Sequence, residues 1–285
     1  MKTLIRSDSS SKIGCGHIMR DLVFAKTLQS EIIFACQSLN GHCMRLIPYP
    51  IETLHSNDLQ ELIALILRLN IDLLVIDHYE IDAFDEYTIK KETGVKILSF
   101  DDTYKAHCCD ILINPNIYAA KEPYASLVPK ECELHYKSPL IRDEFILEKT
   151  IKRPKIYDVC IVMGATDAAN LSLEIVKLLP DSLAIAILTT RFNAHLKELL
   201  NYVNTKPHIH LYVDVSPMAS ILNQSKKIIL TPSSIVQEVL FLGIAFIAIQ
   251  VASNQQYMRS YLENNGYAVL KEWDASLFMQ LYNAF

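Results

Sequence analysis

Short apolar runs alternate along the chain with stretches whose apolar residues return every three or four positions. "TLIR" (3–6), "IIFACQ" (32–37), "DLLVID" (72–77), "VKILSF" (95–100) and "CDILIN" (109–114) are of the first kind. Runs this short, rich in Ile, Leu and Val, suit strands buried on both faces of a parallel sheet. His17–Leu28 and Leu59–Leu69 are of the second kind and predict helices. From 115 to 155 the periodicity is lost and Pro115, Pro123, Pro129, Pro139 and Pro154 accumulate, so this segment reads as an interdomain connection.

The alternation resumes at "YDVCIVMG" (157–164). Strands are expected at "LAIAIL" (183–188), "HIHLYV" (208–213), "KIIL" (227–230), "IAFIAI" (244–249) and "YAVL" (267–270). Helices are expected near 170–179, 194–203, 218–223, from Ile235 onward, and near 255–264. Strand–helix units in both halves predict an α/β chain of two Rossmann-like domains, 1–150 and 151–285, with a cleft between them. Ligands of such sheets bind beyond the carboxyl ends of the strands, so the loops after strands hold the candidate chemistry.

Composition narrows the function classes. Hydrophobic residues make up 51% of the 285, enough for two cores. A net charge of −5 argues against nucleic acid and anionic membranes as partners. No apolar run approaches the ~18 residues of a membrane span, and "MKTLIRSDSSS" turns polar too early for a signal peptide. A cytoplasmic location is expected. The 7 cysteines are odd in number and form no C-x-x-C. Cys15, Cys36 and Cys160 read as free thiols beside apolar runs, and a disulfide scaffold is not expected. Cys108-Cys109 follows His107, but with no second cluster in the sequence no metal is expected.

The chain has only 7 glycines, yet Gly14 and Gly16 stand two apart in "GCGHIMRD", just before His17. They follow a strand and open a helix, where glycine lets the backbone turn and approach a ligand. A dinucleotide loop would need a small residue at Met19, and strand two ends without an acid for the ribose. There is no P-loop, and the nucleotidyl-transfer pattern H-x-G-H fails at Gly14. His17 at a helix N-terminus is disfavoured as imidazolium and so can act as a base at neutral pH.

Three further loops qualify. In "TPSSIVQEVLFLG" (231–243), Ser234 and Gln237 fit a capping box, and Glu238 in the first turn can accept from two vicinal hydroxyls. The Ser233 and Ser234 N–H groups suit a phosphate. In "MGATD" (163–167), Gly164 and Ala165 permit close approach, and Asp167 reads as an N-cap. "IDHYEID" and "FDDTYKAHCCD" place Tyr79 and Asp101 above the first sheet; Asp101 and Asp102 are an open pair of acids, though adjacent residues on an extended segment point to opposite sides.

"GCGHIMRD", "FDDTYKAHCCDILINPN", "VMGATDAANLS", "SSIVQEVLFLG" and "ASNQ", in this order over nearly the whole chain, resemble the UDP-2,4-diacetamido-2,4,6-trideoxy-β-L-altropyranose hydrolases of bacterial pseudaminic acid synthesis. That family is similar to GT-B glycosyltransferases, including the N-acetylglucosaminyl transferase of peptidoglycan synthesis. The resemblance implies a GT-B-like fold with UDP held by the second domain and the sugar by the first. It implies metal-independent, cofactor-free, inverting hydrolysis of the sugar–UDP bond by a monomer, with water as acceptor. By motif position His17 is the catalytic histidine and Glu238 the ribose ligand. Ser233 and Ser234 lie beside the diphosphate, Asn254 in the sugar cleft, and Tyr79 on the sugar side. Gly14, Gly16, Arg20, Asp101, Gly164, Ala165 and Gln255 complete the expected substrate contacts. The chain departs from the family at Gly164-Ala165, often Gly-Gly, and at Thr231-Pro232-Ser233-Ser234, often glycine-rich. A glycosyltransferase with the same donor, or a non-enzymatic UDP-sugar sensor, would keep Glu238 and the serines. The sensor would have no use for a base at His17.

Overall fold

In the computed structural model, which describes residues 1–284, the chain divides into two units, Met1–Leu140 and Ile141–Phe285. The first unit is built on β1 (Lys2–Ser7), α1 (Gly16–Ala25), β2 (Glu31–Gln37), β3 (Ile51–Leu54), α2 (Leu59–Leu69), β4 (Leu73–Asp77), α3 (Ala83–Thr93), β5 (Lys96–Phe100), β6 (Ile111–Asn114) and β7 (Glu133–Tyr136). Its seven strands lie in the order β3-β2-β1-β4-β5-β6-β7, every pair parallel. The chain moves outward from β1 in one direction to β3, then returns to the other side at β4. The loops after β1 and β4 therefore diverge at the sheet's switch point and leave a crevice between them.

The five expected apolar runs are β1, β2, β4, β5 and β6 of this sheet, and their period-two alternation feeds two cores. Leu4, Leu74 and Ile97 face α2 and α3, while Ile5, Val75, Leu98 and Phe34 face α1. Burying each such side chain contributes about 1.5–3 kcal/mol. α3 carries charged residues around most of its surface and buries only Glu86 and Ile89. It has no apolar stripe for periodicity to detect, although the Asp82–Asp85 capping box at its start is formed.

The second unit holds α4 (Asp143–Lys149), β8 (Tyr157–Val162), α5 (Leu171–Leu178), β9 (Ile185–Thr189), α6 (Leu196–Val203), β10 (Ile209–Val213), α7 (Ala219–Asn223), β11 (Ser225–Leu230), α8 (Ile235–Leu242), β12 (Ala245–Ile249), α9 (Gln256–Asn264), β13 (Ala268–Leu270) and α10 (Ala275–Ala284). Its strand order, β10-β9-β8-β11-β12-β13, has the same switch point, between β8 and β11. Val159, Ile161, Ile187, Ile229 and Ile247 pack with Phe278 of α10 in one core.

The segment 115–155, which reads as a connection, contains β7 and α4. β7 is a mostly exposed edge strand, so it carries little apolar pattern. α4 packs on α7 and α8, which is why the division between units falls at 140–141 rather than at 150. Among the described residues, no helix is long and apolar enough to cross a membrane.

Two expected local structures differ. Asp167 does cap α5, but from outside the cap position. Its carboxylate accepts from the Leu171 and Ser172 N–H groups at 2.9 and 3.0 Å, with Asn170 at the cap in the left-handed region. The Ser234–Gln237 capping box does not form. Ser234 has helical backbone angles and its hydroxyl makes no cap hydrogen bond, because the turn begins one residue earlier with Val236 N–H on the Ser233 carbonyl. Replacing Asp167 with Ala should therefore destabilise the protein by about 0.5–2 kcal/mol, read by thermal or urea melting. Ser234→Ala should melt like the parent.

Candidate active site

His17 is the second residue of α1, just beyond the end of β1 at the first unit's switch point. Its side chain is 13% exposed. Asp77, the last residue of β4, brings Oδ1 to 3.7 Å from His17 Nδ1, too long for a hydrogen bond but close enough for charge to act. The Tyr79 ring meets the imidazole edge-on with centroids 4.8 Å apart. Register explains this grouping. β1 and β4 are parallel neighbours with Ser7 opposite Asp77, so the residues following each strand emerge side by side.

Arg20 stands one turn further along α1 and grips Asp77 with both arms, Nε on Oδ2 at 2.8 Å and NH2 on Oδ1 at 2.5 Å. It also reaches Asp102 at 3.4 Å, and the Tyr79 hydroxyl donates to the same Asp102 carboxylate at 3.1 Å. The guanidinium lies over Phe100, 5.2 Å from the ring centroid. Asp21 is fully buried behind this group.

The electrostatics follow from burial among these charges. Burial lowers the His17 pKa, and Asp77, which pulls it upward, only partly compensates. The imidazole is therefore held below its ordinary 6.5 and is neutral at pH 7. The expected neutrality is found, but its main cause is desolvation rather than the helix terminus. Burial would raise Asp77, yet Arg20 and His17 outweigh it and hold the carboxyl down to about 2. Asp21 goes the other way: burial and the neighbouring Asp77 charge raise it far above the carboxylate range, so it stays protonated.

Asp101 does not join this group, contrary to expectation. It is buried, and its carboxylate accepts from the Tyr124 hydroxyl at 2.6 Å and from the Thr103 N–H at 2.9 Å. Adjacent residues on the extended segment point apart, and Asp102 is the one turned to Arg20 and Tyr79. Asp8 is likewise unsuited to be a base. Burial would raise it, but hydrogen bonds from His78 and Arg6 hold it well below the carboxylate range. Gly14 has φ +81°, which favours glycine, whereas a Cβ on Gly16 would meet nothing within 4 Å. The backbone needs Gly14 and does not need Gly16; open space lies above the latter. Cys15 does not stand alone: its sulfur lies against that of Cys43, with Cα atoms 6.0 Å apart. Its partner lies 28 residues on, in a loop with no sequence pattern to announce the pairing.

Gly164, Ala165, Ser233, Ser234 and Glu238 follow β8 or β11, the two strands at the second unit's switch point, whereas Asn254 and Gln255 follow β12. Gly164 follows β8 with φ +85°, and Ala165 is tied down by the Thr190 hydroxyl on its carbonyl at 2.7 Å. Ser233 and exposed Ser234 follow β11, and Glu238 lies on the first turn of α8. Glu238 is mostly buried and already has a cationic partner. Arg142 Nε donates to its Oε1 and Arg142 NH2 to its Oε2, both at 2.6 Å. Arg142 also pairs with Glu144 at 3.0 Å and lies over Phe145. The sequence reading missed Arg142, which sits in the segment without periodicity. Asn254 is exposed in a short 3₁₀ turn. The Gln255 side-chain carbonyl accepts from the Val251 and Ala252 N–H groups, so that end of the amide holds the loop together.

No family model matches the chain. It is 47% identical over 271 residues to the UDP-2,4-diacetamido-2,4,6-trideoxy-β-L-altropyranose hydrolase of Campylobacter jejuni, covering 94% of this chain and 98% of that protein. An uncharacterized Methanocaldococcus jannaschii protein, MJ1062, is 23% identical across 87% of this chain and 55% of its own length. Among solved structures, Acinetobacter baumannii MurG aligns over 100% of this chain and 90% of its own, with TM-score 0.64 and 14% identity. Anabaena Alr3699/HepE in complex with UDP and glucose aligns over 100% and 89%, with TM-score 0.64 and 9% identity. These likenesses establish the two-sheet α/β fold of the GT-B glycosyltransferases.

Asp77→Asn removes the anion that raises the His17 pKa while Arg20 remains. An NMR titration of the His17 ring should then show its pKa lower than in the parent. An unchanged or higher value would mean that Asp77 exerts no field on the imidazole.

Proposed function

The chain belongs to the family of UDP-2,4-diacetamido-2,4,6-trideoxy-β-L-altropyranose hydrolases, and on that premise we propose that it cleaves the sugar–UDP bond of this nucleotide sugar by inversion at the anomeric carbon. The observation that carries the mechanism is His17, held neutral at the first unit's switch point with Asp77 beside it. A water oxygen attacks the anomeric carbon and His17 takes its proton. The bond from that carbon to the diphosphate oxygen breaks, and its electron pair leaves with UDP. Inversion needs room for the water on the face opposite the leaving group. As the imidazole becomes positive, Asp77 stabilises the developing charge through space. Asp77 is itself kept ionised by Arg20, so Arg20 acts here as a positioning residue more than as a sugar ligand. Tyr79 and Asp102 border His17 and are the groups placed to meet sugar polar atoms.

The second unit takes the nucleotide in this reading. The Gly164-Ala165 loop and Ser234 offer backbone N–H groups to the diphosphate, whereas the Ser233 N–H is already donated to the Thr231 carbonyl at 2.8 Å. Glu238 accepts from the ribose hydroxyls on the carboxylate lone pairs that Arg142 leaves over. Arg142 holds that carboxylate in one orientation in advance, which lowers the ordering cost of binding. Asn254, exposed in its 3₁₀ turn, is the second unit's candidate sugar ligand. The charge on departing UDP is met by these N–H dipoles, without a divalent cation on the diphosphate. The protein acts as a monomer in the cytoplasm, and water, not a sugar or lipid hydroxyl, is the acceptor.

His17→Asn keeps the size and some hydrogen bonding of the side chain and removes the base. kcat for UDP release should fall by about 10²–10⁴-fold with KM little changed. A variant as fast as the parent would place the base elsewhere. In the parent, kcat should be flat through pH 7 and fall only in acid, below the ordinary histidine range, because burial lowers the His17 pKa and the imidazolium cannot accept a proton.

Glu238→Ala should weaken UDP binding by about 1.5–3 kcal/mol, the scale of a charge-assisted hydrogen bond. Calorimetry on folded protein measures this, and unchanged affinity would remove Glu238 from the nucleotide site. The same change removes the two-armed contact of Arg142 and leaves it only Glu144 as an anionic partner, so the melting temperature should also drop. Added Mg²⁺ or Mn²⁺ should leave kcat unaltered. A rate that tracked occupancy by either ion would assign the charge stabilisation to a cation.

A further inference from the structure

A second group of side chains in the first unit has no part in this chemistry. Glu86, on the first turn of α3, is fully buried. Its carboxylate accepts from Ser99 Oγ at 2.6 Å and from the Cys108 N–H, and lies 2.7 Å from His107 Nδ1. A carboxylate at that distance puts the imidazole proton on Nδ1 and leaves the lone pair on Nε2. Nε2 is buried and has no hydrogen-bond partner. A Glu86 oxygen, a His107 ring nitrogen and Cys109 Sγ all lie within 4.8 Å of one another. Cys132 brings a second sulfur to 3.8 Å from Cys109 Sγ. Parallel pairing of β6 with β7, Ile111 opposite Glu133, sets the two cysteines side by side just ahead of the strands.

These are the parts of a thiolate–imidazole metal site. Two sulfurs each about 2.3 Å from a tetrahedral centre stand about 3.8 Å apart, whereas a disulfide would bring them to about 2.05 Å. A ligating histidine characteristically donates its other N–H to a carboxylate, which fixes the ring, and Glu86 stands where that partner belongs. The buried, unpartnered Nε2 is the second, independent sign of a missing ligand.

We propose that Cys109, Cys132 and His107 hold a soft divalent cation of the zinc kind, with Glu86 fixing the imidazole from its other side. Binding releases the two thiol protons and leaves both sulfurs as thiolates on the metal. The role is structural and independent of the sugar-nucleotide reading. The segment from Asp101 to Cys109 delivers Asp102 to Arg20 and Tyr79, and the site ties the far end of that segment to α3 and to the start of β7.

The test uses the full-length protein, prepared under reductant, stripped with a chelator and titrated with Co²⁺. The parent should take up about one equivalent with a thiolate-to-cobalt charge-transfer band in the near ultraviolet, and Zn²⁺ should displace it. Cys109→Ser and Cys132→Ser should each weaken that band severalfold, and Cys36→Ser should not. Should the site variants fail to fold, alkylation of the parent with iodoacetamide decides. Zn²⁺ should slow labelling of Cys109 and Cys132, located by peptide mapping, at least tenfold and leave Cys108 unprotected. No charge-transfer band in the parent, equal labelling with and without Zn²⁺, or a Cys109–Cys132 disulfide in the purified protein overturns the proposal. In the first two of these cases the two thiols are no more than a sulfur–sulfur hydrogen bond.

Discussion

Asp77 is an anion in a place from which water is excluded, and the first unit's site is arranged around neutralising it. A carboxylate this deep in a protein stays charged only beside a compensating cation. Arg20 supplies that cation through a two-armed contact from the neighbouring helix. Once paired, the guanidinium has a spare arm for Asp102, and Asp102 takes the Tyr79 hydroxyl. Tyr79 in turn forms one wall against His17. Three strand-end loops are thereby locked together by a single chain of charge compensation. The protonated Asp21 behind Asp77 follows the same logic, because two adjacent buried carboxylates cannot both ionise.

The parallel sheet makes this possible. Strands covered on both faces leave only their ends for polar chemistry, and the switch point between β1 and β4 is where two of those ends part. The second unit repeats the device between β8 and β11. There the dominant contact is Arg142 on Glu238, again a bidentate guanidinium–carboxylate pair at a strand-end helix. In both units an arginine fixes the orientation of the carboxylate that matters. Preorganisation of this kind is what gives a charged group in a partly dry site a defined geometry.

A base kept neutral by desolvation also bears on why a fold shared with glycosyltransferases can serve hydrolysis. A transferase and a hydrolase differ in which hydroxyl is admitted to the anomeric carbon, not in how the leaving diphosphate is stabilised. His17 has the same task with either acceptor. Near full-length identity of 47% to a hydrolase, against 9–14% to the solved fold relatives quoted above, is the support for proposing water as the acceptor.

The apolar runs of the sequence determined the two parallel sheets, since an uninterrupted Ile/Leu/Val run has few places to go except between two layers. They also placed His17, Tyr79, Gly164, Ser233 and Glu238 in the loops and first helical turns that follow strands, because that follows from local order along the chain. β3, β7, α3 and α4 were not legible, since none of them buries more than two of its residues. Nor were the partners. Asp77 lies 57 residues from Arg20, Arg142 lies 96 from Glu238, and Cys132 lies 23 from Cys109. Periodicity and motif spacing describe neighbours along the chain, whereas charge compensation is decided by which strand ends the topology sets side by side. Hence the sequence could name a histidine and a glutamate. Only the folded chain decided that Asp102 rather than Asp101 faces the site, that Cys15 lies beside Cys43, and that Arg142 already occupies one side of Glu238.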